Sequence, residues 1–183
     1  MEAHYEDFGF YSISAGYTGR LQNIDSKVQN SYGNKPFLGA IRMQDKYDYF
    51  IPLSSPKDKH IYMPEIGRFY SLVYEYIRPE DRVPQNIIKS ERDGLLQKLL
   101  GILSVNNMIP VPPGYYTKLP DFTNRKVKYN DLLFKEYEFC LAIKDKILEM
   151  SRNVRENYLL DISEYCCDFA ELERMHDIIA AGK

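Results

Sequence analysis

Residues Ser54-Ser55-Pro56-Lys57-Asp58-Lys59-His60 bring two hydroxyls, two ammonium groups and an imidazole into one short segment around a rigid proline. Hydroxyls and ammonium groups can hold a phosphate, and an imidazole titrates near neutral pH. The segment could therefore bind a phosphodiester and move a proton. It follows the apolar run Tyr47-Asp48-Tyr49-Phe50-Ile51-Pro52, which reads as a strand. Loops carried at the ends of rigid elements are where binding and catalytic groups gather. The plain alternative is a polar turn, since Ser-Pro is a common turn dipeptide.

The elements around this segment give it a neighbour. Phe37 to Met43 and Tyr47 to Leu53 are β-favouring runs separated by Gln44-Asp45-Lys46, which predicts a hairpin. A hairpin brings the start of its first strand beside the end of its second. The Tyr32–Lys35 loop, within a 29–36 stretch of loop composition, is thus expected to meet the Ser54–His60 loop at one end of a sheet.

Elsewhere, Phe8 to Ile13 reads as a strand, and Tyr17, Leu21, Ile24 and Val28 follow at helical spacing. Arg68 to Ile77 reads as a strand ended by Pro79 and Pro84. Ser90 to Leu100 carries Leu95, Leu96, Leu99 and Leu100 at a spacing that suggests a helix. Ile102 to Val105 and Met108 to Val111 read as strands around Asn106-Asn107, and a loop from Pro112 to Asn124 leads to a basic cluster. One long helix is expected from about Tyr129, with Leu133, Tyr137, Cys140, Ile147 and Val154 on its apolar face. Asp161 and Glu164 suggest a capping box for a last helix. Its buried stripe would be Tyr165, Phe169, Leu172, His176 and Ile179, with His176 a packed residue.

Composition bounds the function. The 183 residues suit a single domain with a real core, and 44% apolar and 27% charged residues are those of a soluble globular protein. The net charge of −2 argues against a surface coated in nucleic acid, so any RNA site must be a local basic groove. Acidity is concentrated after Asn157, where six acids face two bases, whereas residues 1–157 carry 22 bases and 20 acids. Three cysteines without framework spacing indicate reduced thiols, and three scattered histidines speak against a zinc site. The polar, acidic N-terminus is unlike a signal peptide, and no apolar run approaches the roughly 18 residues of a membrane span. A soluble, cytoplasmic protein without membrane contact is expected.

Several segments, in order, resemble a known family. They are Phe10-Tyr11-Ser12-Ile13-Ser14, Lys35-Pro36-Phe37-Leu38-Gly39, and Tyr49-Phe50-Ile51-Pro52-Leu53-Ser54-Ser55-Pro56-Lys57-Asp58-Lys59-His60. Asn107-Met108-Ile109-Pro110-Val111 and Leu132-Leu133 with Tyr137-Glu138-Phe139 follow. Together they resemble the ToxN/AbiQ toxins of type III toxin–antitoxin systems, phage-abortive endoribonucleases, over roughly residues 9–157. The resemblance implies an α+β fold: one domain over residues 1–183, with a strongly bent, barrel-like antiparallel sheet flanked by helices. The acidic helical part, about residues 158–183, would be an extension outside the likeness. It implies a sequence-specific endoribonuclease that uses no metal or other cofactor. Its partners would be a repeated antitoxin RNA pseudoknot, which it processes, and cellular and phage RNA substrates, in a ring-shaped protein–RNA assembly.

Matched by position, the family's active-site hydroxyls fall on Ser54 and Ser55, its phosphate-holding lysine on Lys57, its loop tyrosine on Tyr32 and its remaining lysine on Lys35. His60 has the intrinsic pKa for acid or base work, or it holds the loop. Lys35 could act as a base only if its pKa were lowered. For RNA beyond the scissile phosphate, Lys59, Lys118, Arg125, Lys126 and Lys128 are candidate cations, and Tyr115 and Tyr116 candidate stacking faces. A non-catalytic RNA-binding protein on the same scaffold, or a protein adaptor, would need less of this cluster.

Overall fold

The computed structural model describes residues 2–30, 35–120 and 126–182. Strand β3 (Tyr47–Ser54) is buried along its length until Ser54 at its end. Such a continuous apolar run suits a strand with neighbours on both edges. One edge pairs with β2 (Phe37–Met43), and the other pairs first with β7 (Ile109–Pro110) and then with β6 (Leu95–Ser104). Pro52, which has no N–H to donate, lies between the β7 partners of Tyr49 and Phe50 and the β6 partners of Leu53 and Ser54. A proline is tolerated in this central strand because the ladder is interrupted there.

With β1 (Ala3–Ile13), β4 (Tyr70–Ile77), β5 (Ile88–Arg92) and β8 (Tyr116–Lys118), the sheet has eight strands among the described residues. Its order is β4-β6-β3-β2-β1-β8, with β5 on β6 and β7 on β3, and all pairs are antiparallel. Register shifts interrupt four of the pairings, and irregularities of this kind bend strands. Among the described residues the sheet does not close, so the barrel-like expectation is corrected to an open sheet ending in β4 and β8.

The predicted hairpin is present, with a turn in which Gln44 and Asp45 take positive φ and the Lys46 N–H donates to Met43 O. The helix expected over 90–100 is instead the end of β5, a tight turn and β6. Asp93 and Gly94 both have positive φ, which makes Asp-Gly the hairpin turn. The leucine spacing misled because β6 is buried on both faces from Leu99 to Leu103.

α1 (Ala15–Gln22) is shorter than its stripe, ending before Ile24 and Val28. The single long helix is two, α2 (Lys128–Ala142) and α3 (Lys144–Asn157), broken at Ile143 without a proline or glycine to signal it. The last helix, α4 (Phe169–Ala181), starts later than expected. Its cap is Asp168, whose Oδ1 accepts the Glu171 N–H at 3.1 Å, while the Asp161 side chain lies outside the described residues. Phe169, Leu172, His176 and Ile179 are buried as predicted, but Tyr165 is exposed. α4 is no appended extension, because its apolar face belongs to the same core as the sheet. Two of its acids bind the body. Glu173 accepts from Tyr49 Oη and forms a two-point ion pair with Arg155, and Asp177 pairs with Lys46 at 2.7 Å. No helix among the described residues is long and apolar enough to cross a membrane.

Candidate active site

The end of β3 carries the cluster. Leu38 pairs with Ile51 and Phe37 with Pro52, and the Leu53 N–H donates to Pro36 O at 3.1 Å. Continuing that register places Lys35 opposite Ser54, as the hairpin argument requires. On the other edge Ser54 pairs with Ile102 of β6. Ser54 is half-buried as the last strand residue, and Ser55 and Lys57 are exposed just beyond it. Lys35 is exposed as well, and Tyr32 lies outside the described residues.

The loop after Ser54 is held from below. His60 is only 5% exposed, in a short 3-10 helix spanning Asp58–Tyr62. The Lys57 N–H donates to His60 Nδ1 at 3.0 Å, and the His60 N–H donates to Lys57 O at 2.9 Å. This reciprocal lock fixes the backbone from which the Lys57 side chain projects. Burial, helped by the charges of Lys59 and Lys57, moves the His60 pKa below its ordinary value, so the ring is neutral at pH 7. Nδ1 is then the acceptor nitrogen. Farther along, Lys89 of β5 donates from Nζ to Ile61 O at 2.8 Å and to Met63 O. Nothing in the local sequence marks Lys89 as a loop anchor, because its partners are backbone carbonyls far away in the chain.

Beyond Ser54 the ladder on β6 has a gap. β3 leaves β6 at Ile102, and the next neighbour on that edge arrives only where Ile87 O accepts the Leu99 N–H at 2.9 Å and Ile88 pairs with Lys98. Gly101 lies in the gap. A Cβ there would stand 3.0 Å from Leu53 Cδ1, 3.1 Å from Glu136 Oε1 and 3.2 Å from Ser54 O, so even an alanine would crowd its neighbours. Glu136, reaching up from α2, is buried, and desolvation raises its pKa from 4.5 to about 8. Nothing in the sequence distinguishes it from the other carboxylates of the same helix.

The candidate RNA-binding residues separate into groups. Lys59 is exposed on the loop, Lys126 and Lys128 are exposed at the start of α2, and Arg125 lies outside the described residues. Lys128 lines a cleft with Ser55. Lys118 is elsewhere, on β8 at the far edge of the sheet, bound to Asp7 at 2.6 Å. Tyr115 packs on Tyr17, and Tyr116 packs between Phe50 and Tyr11 with centroids 4.7 and 5.6 Å away. These two rings stack on the protein itself. Among the described residues no three His, Cys, Asp or Glu side chains gather in a way that could hold a metal ion.

The family model described as toxin ToxN of type III toxin–antitoxin systems matches residues 9–177. That is 20 residues past Asn157, so the likeness takes in most of the C-terminal helix. The chain is 27% identical to endoribonuclease ToxN of Bacillus thuringiensis subsp. kurstaki over 178 residues, covering 90% of this chain and 80% of that protein. It is also 27% identical to endoribonuclease AbiQ of Lactococcus lactis subsp. lactis, over 90% of this chain and 85% of that one. The solved structure of lactococcal AbiQ, an anti-phage endoribonuclease of a type III system, superposes with a TM-score of 0.73 at 25% identity, covering 95% and 98% of the two chains. A structure from a bacterial antiviral system regulated by a processed non-coding RNA superposes with a TM-score of 0.69 at 26% identity, covering 92% and 97%.

Proposed function

Because this chain belongs to the ToxN family of type III toxin–antitoxin toxins, we propose that it is a metal-independent, sequence-specific endoribonuclease toxin of phage defence. The observation that carries the reading is the β2–β3 register, which continues past the Pro36–Leu53 bond to bring Lys35 opposite Ser54, with Ser55 and Lys57 one and three residues farther on.

In this reading the substrate supplies its own nucleophile. The 2′-oxygen attacks the adjacent phosphorus, and the P–O5′ bond breaks. The products are a 2′,3′-cyclic phosphate and a 5′-hydroxyl, with the 2′ proton lost to a base and the 5′-oxygen gaining one. Lys57 stands beside the non-bridging oxygens and offsets the charge that develops there. Ser54 and Ser55 donate to the phosphate and orient the 2′-hydroxyl. One preorganised donor of this kind contributes roughly 3–4 kcal/mol to the barrier reduction. Lys35 adds a second cation to the phosphate from the opposite strand, and Tyr32 is kept as a candidate by the resemblance alone. His60 is a positioning residue, since its Nδ1 is committed to the Lys57 N–H.

The partner in this reading is a repeated antitoxin RNA pseudoknot, which the toxin processes and with which it closes into a ring, both in the cytoplasm. Lys59, Lys126 and Lys128 contact its backbone. Expression without antitoxin tests the reading. The parent protein arrests growth, and Ser55→Ala and Lys57→Ala proteins accumulate to the same level without arrest. Equal toxicity of parent and variants removes the β3 loop from the chemistry.

A further inference from the structure

We propose that the gap in the β6 ladder is a nucleobase subsite, taking one unstacked base of the single-stranded RNA beside the scissile phosphate. The proposal rests on the endoribonuclease reading for its substrate, and on the shape and chemistry of the gap for its place.

The gap opens into a cleft of about 500 Å3, well within the range of sites that take small organic ligands. Ser55 and Pro56 form one lip and Gln85, Asn86 and Ile87 the other, because these are the residues where β3 leaves β6 and the chain re-enters as β5. Across them lies the first half of α2, which adds Tyr129 and Leu132. The cleft therefore begins at the residue proposed to touch the phosphate.

Its charges are arranged for a neutral ligand. Lys98 and Lys135 line it, but both bind Glu75, at 2.8 and 3.1 Å, and Lys135 also binds Asp131 at 3.0 Å. Two cations and two carboxylates leave little pull on a phosphate deep in the cleft. Lys128 at the rim has no carboxylate partner among the described residues and suits the phosphate there. Inside, Pro56, Leu100 and Leu132 offer apolar walls, and Tyr129, 40% exposed, offers a ring. Asn86 is fixed: its Oδ1 accepts the Val83 N–H at 3.1 Å, and its own N–H donates to Val83 O at 3.0 Å. Among the described residues its amide NH2 has no partner and so remains for a ligand, and Gln85 supplies a second amide beside it. An apolar slot with one ring and two amides is the chemistry that stacks a base and reads its edge.

The test uses parent, Asn86→Ala, Tyr129→Ala and Tyr129→Phe proteins and two pools of randomised single-stranded RNA. One pool is fully 2′-O-methylated and cannot be cut. The RNAs retained from it are sequenced, and the ends cut from the unmodified pool are mapped. The expected result is a base bias in both pools at one position next to the cut. Asn86→Ala and Tyr129→Ala flatten that bias and raise KM about tenfold, more than they lower kcat, as loss of a stacked and hydrogen-bonded base requires. Tyr129→Phe keeps the bias. An unchanged bias and KM in both folded alanine variants overturns the subsite. Parent protein that retains RNA with the bias but cuts nothing defeats the endoribonuclease reading and leaves the subsite standing. Parent protein with no bias in either pool removes the subsite whether or not it cuts.

Discussion

In the proposed reaction Lys57 acts through its side chain, and what the fold holds is its backbone. The His60 ring accepts its N–H, so the two residues form one device. His60→Asn keeps an acceptor near the Nδ1 position, and His60→Leu keeps bulk alone. Misplacement by about 1 Å at a reacting centre can cost on the order of 100-fold in rate. His60→Leu is expected to lose about that much kcat while His60→Asn keeps most of it; equal losses would mean that the ring transfers a proton. The depressed pKa of His60 makes a stability contribution that is complete above its ordinary 6.5 and lost as pH falls through and below that value. Glu136 has the opposite sign. Burial raises its pKa from 4.5 to about 8, so across that window the folded state holds a proton that the unfolded chain has released. Stability therefore falls as pH rises from 4.5 to about 8. Glu136→Gln should stabilise the protein by up to about 3 kcal/mol at pH 7 and by little at pH 4.5, read from denaturant midpoints. Parallel pH profiles for parent and variant would show that Glu136 is not held neutral.

At the scale of elements, the sequence revealed what alternates or runs apolar and hid what depends on a partner. The β2–β3 hairpin was legible because two β-favouring runs flank a three-residue connection. The β5–β6 hairpin was missed although Asp93-Gly94 is a strong turn signal, because four leucines at helical spacing outweighed it. The break at Ile143 had no local mark at all. The acids after Asn157 read as belonging to a helical extension outside the family likeness, yet Glu173 is nearly buried between Arg155 and Tyr49 Oη. Removing one member of such a pair leaves an uncompensated charge. Arg155→Ala is expected to cost about 3–5 kcal/mol, seen as a lower melting temperature with α4 loosened from β3. A loss within ordinary surface values, below about 1 kcal/mol, would mean that the pair is effectively solvated.

For the whole molecule, the approach of Lys35 to Ser54 is the part of the site that spacing alone could reach, because antiparallel pairing fixes it once the hairpin is known. The role of each member came from the family resemblance. Lys89 and Asn86 came only from the fold, since they meet the loop and its cleft from β5 and the turn before it, and so did Glu136 of α2, which lies beside Gly101. The open sheet explains why these lie together. β6 runs past the end of β3, and the space left beside it is where Ser55 and the α2 residues converge. The central claim is that this end of the sheet cleaves RNA with the strand's own 2′-hydroxyl. The direct measurement is end analysis of a defined single-stranded RNA cut by the purified protein in excess EDTA. Undiminished cleavage with 2′,3′-cyclic phosphate and 5′-hydroxyl ends is expected, and none in Ser55→Ala protein. Products with 5′-phosphates, or activity abolished by the chelator and restored by a divalent ion, would contradict it.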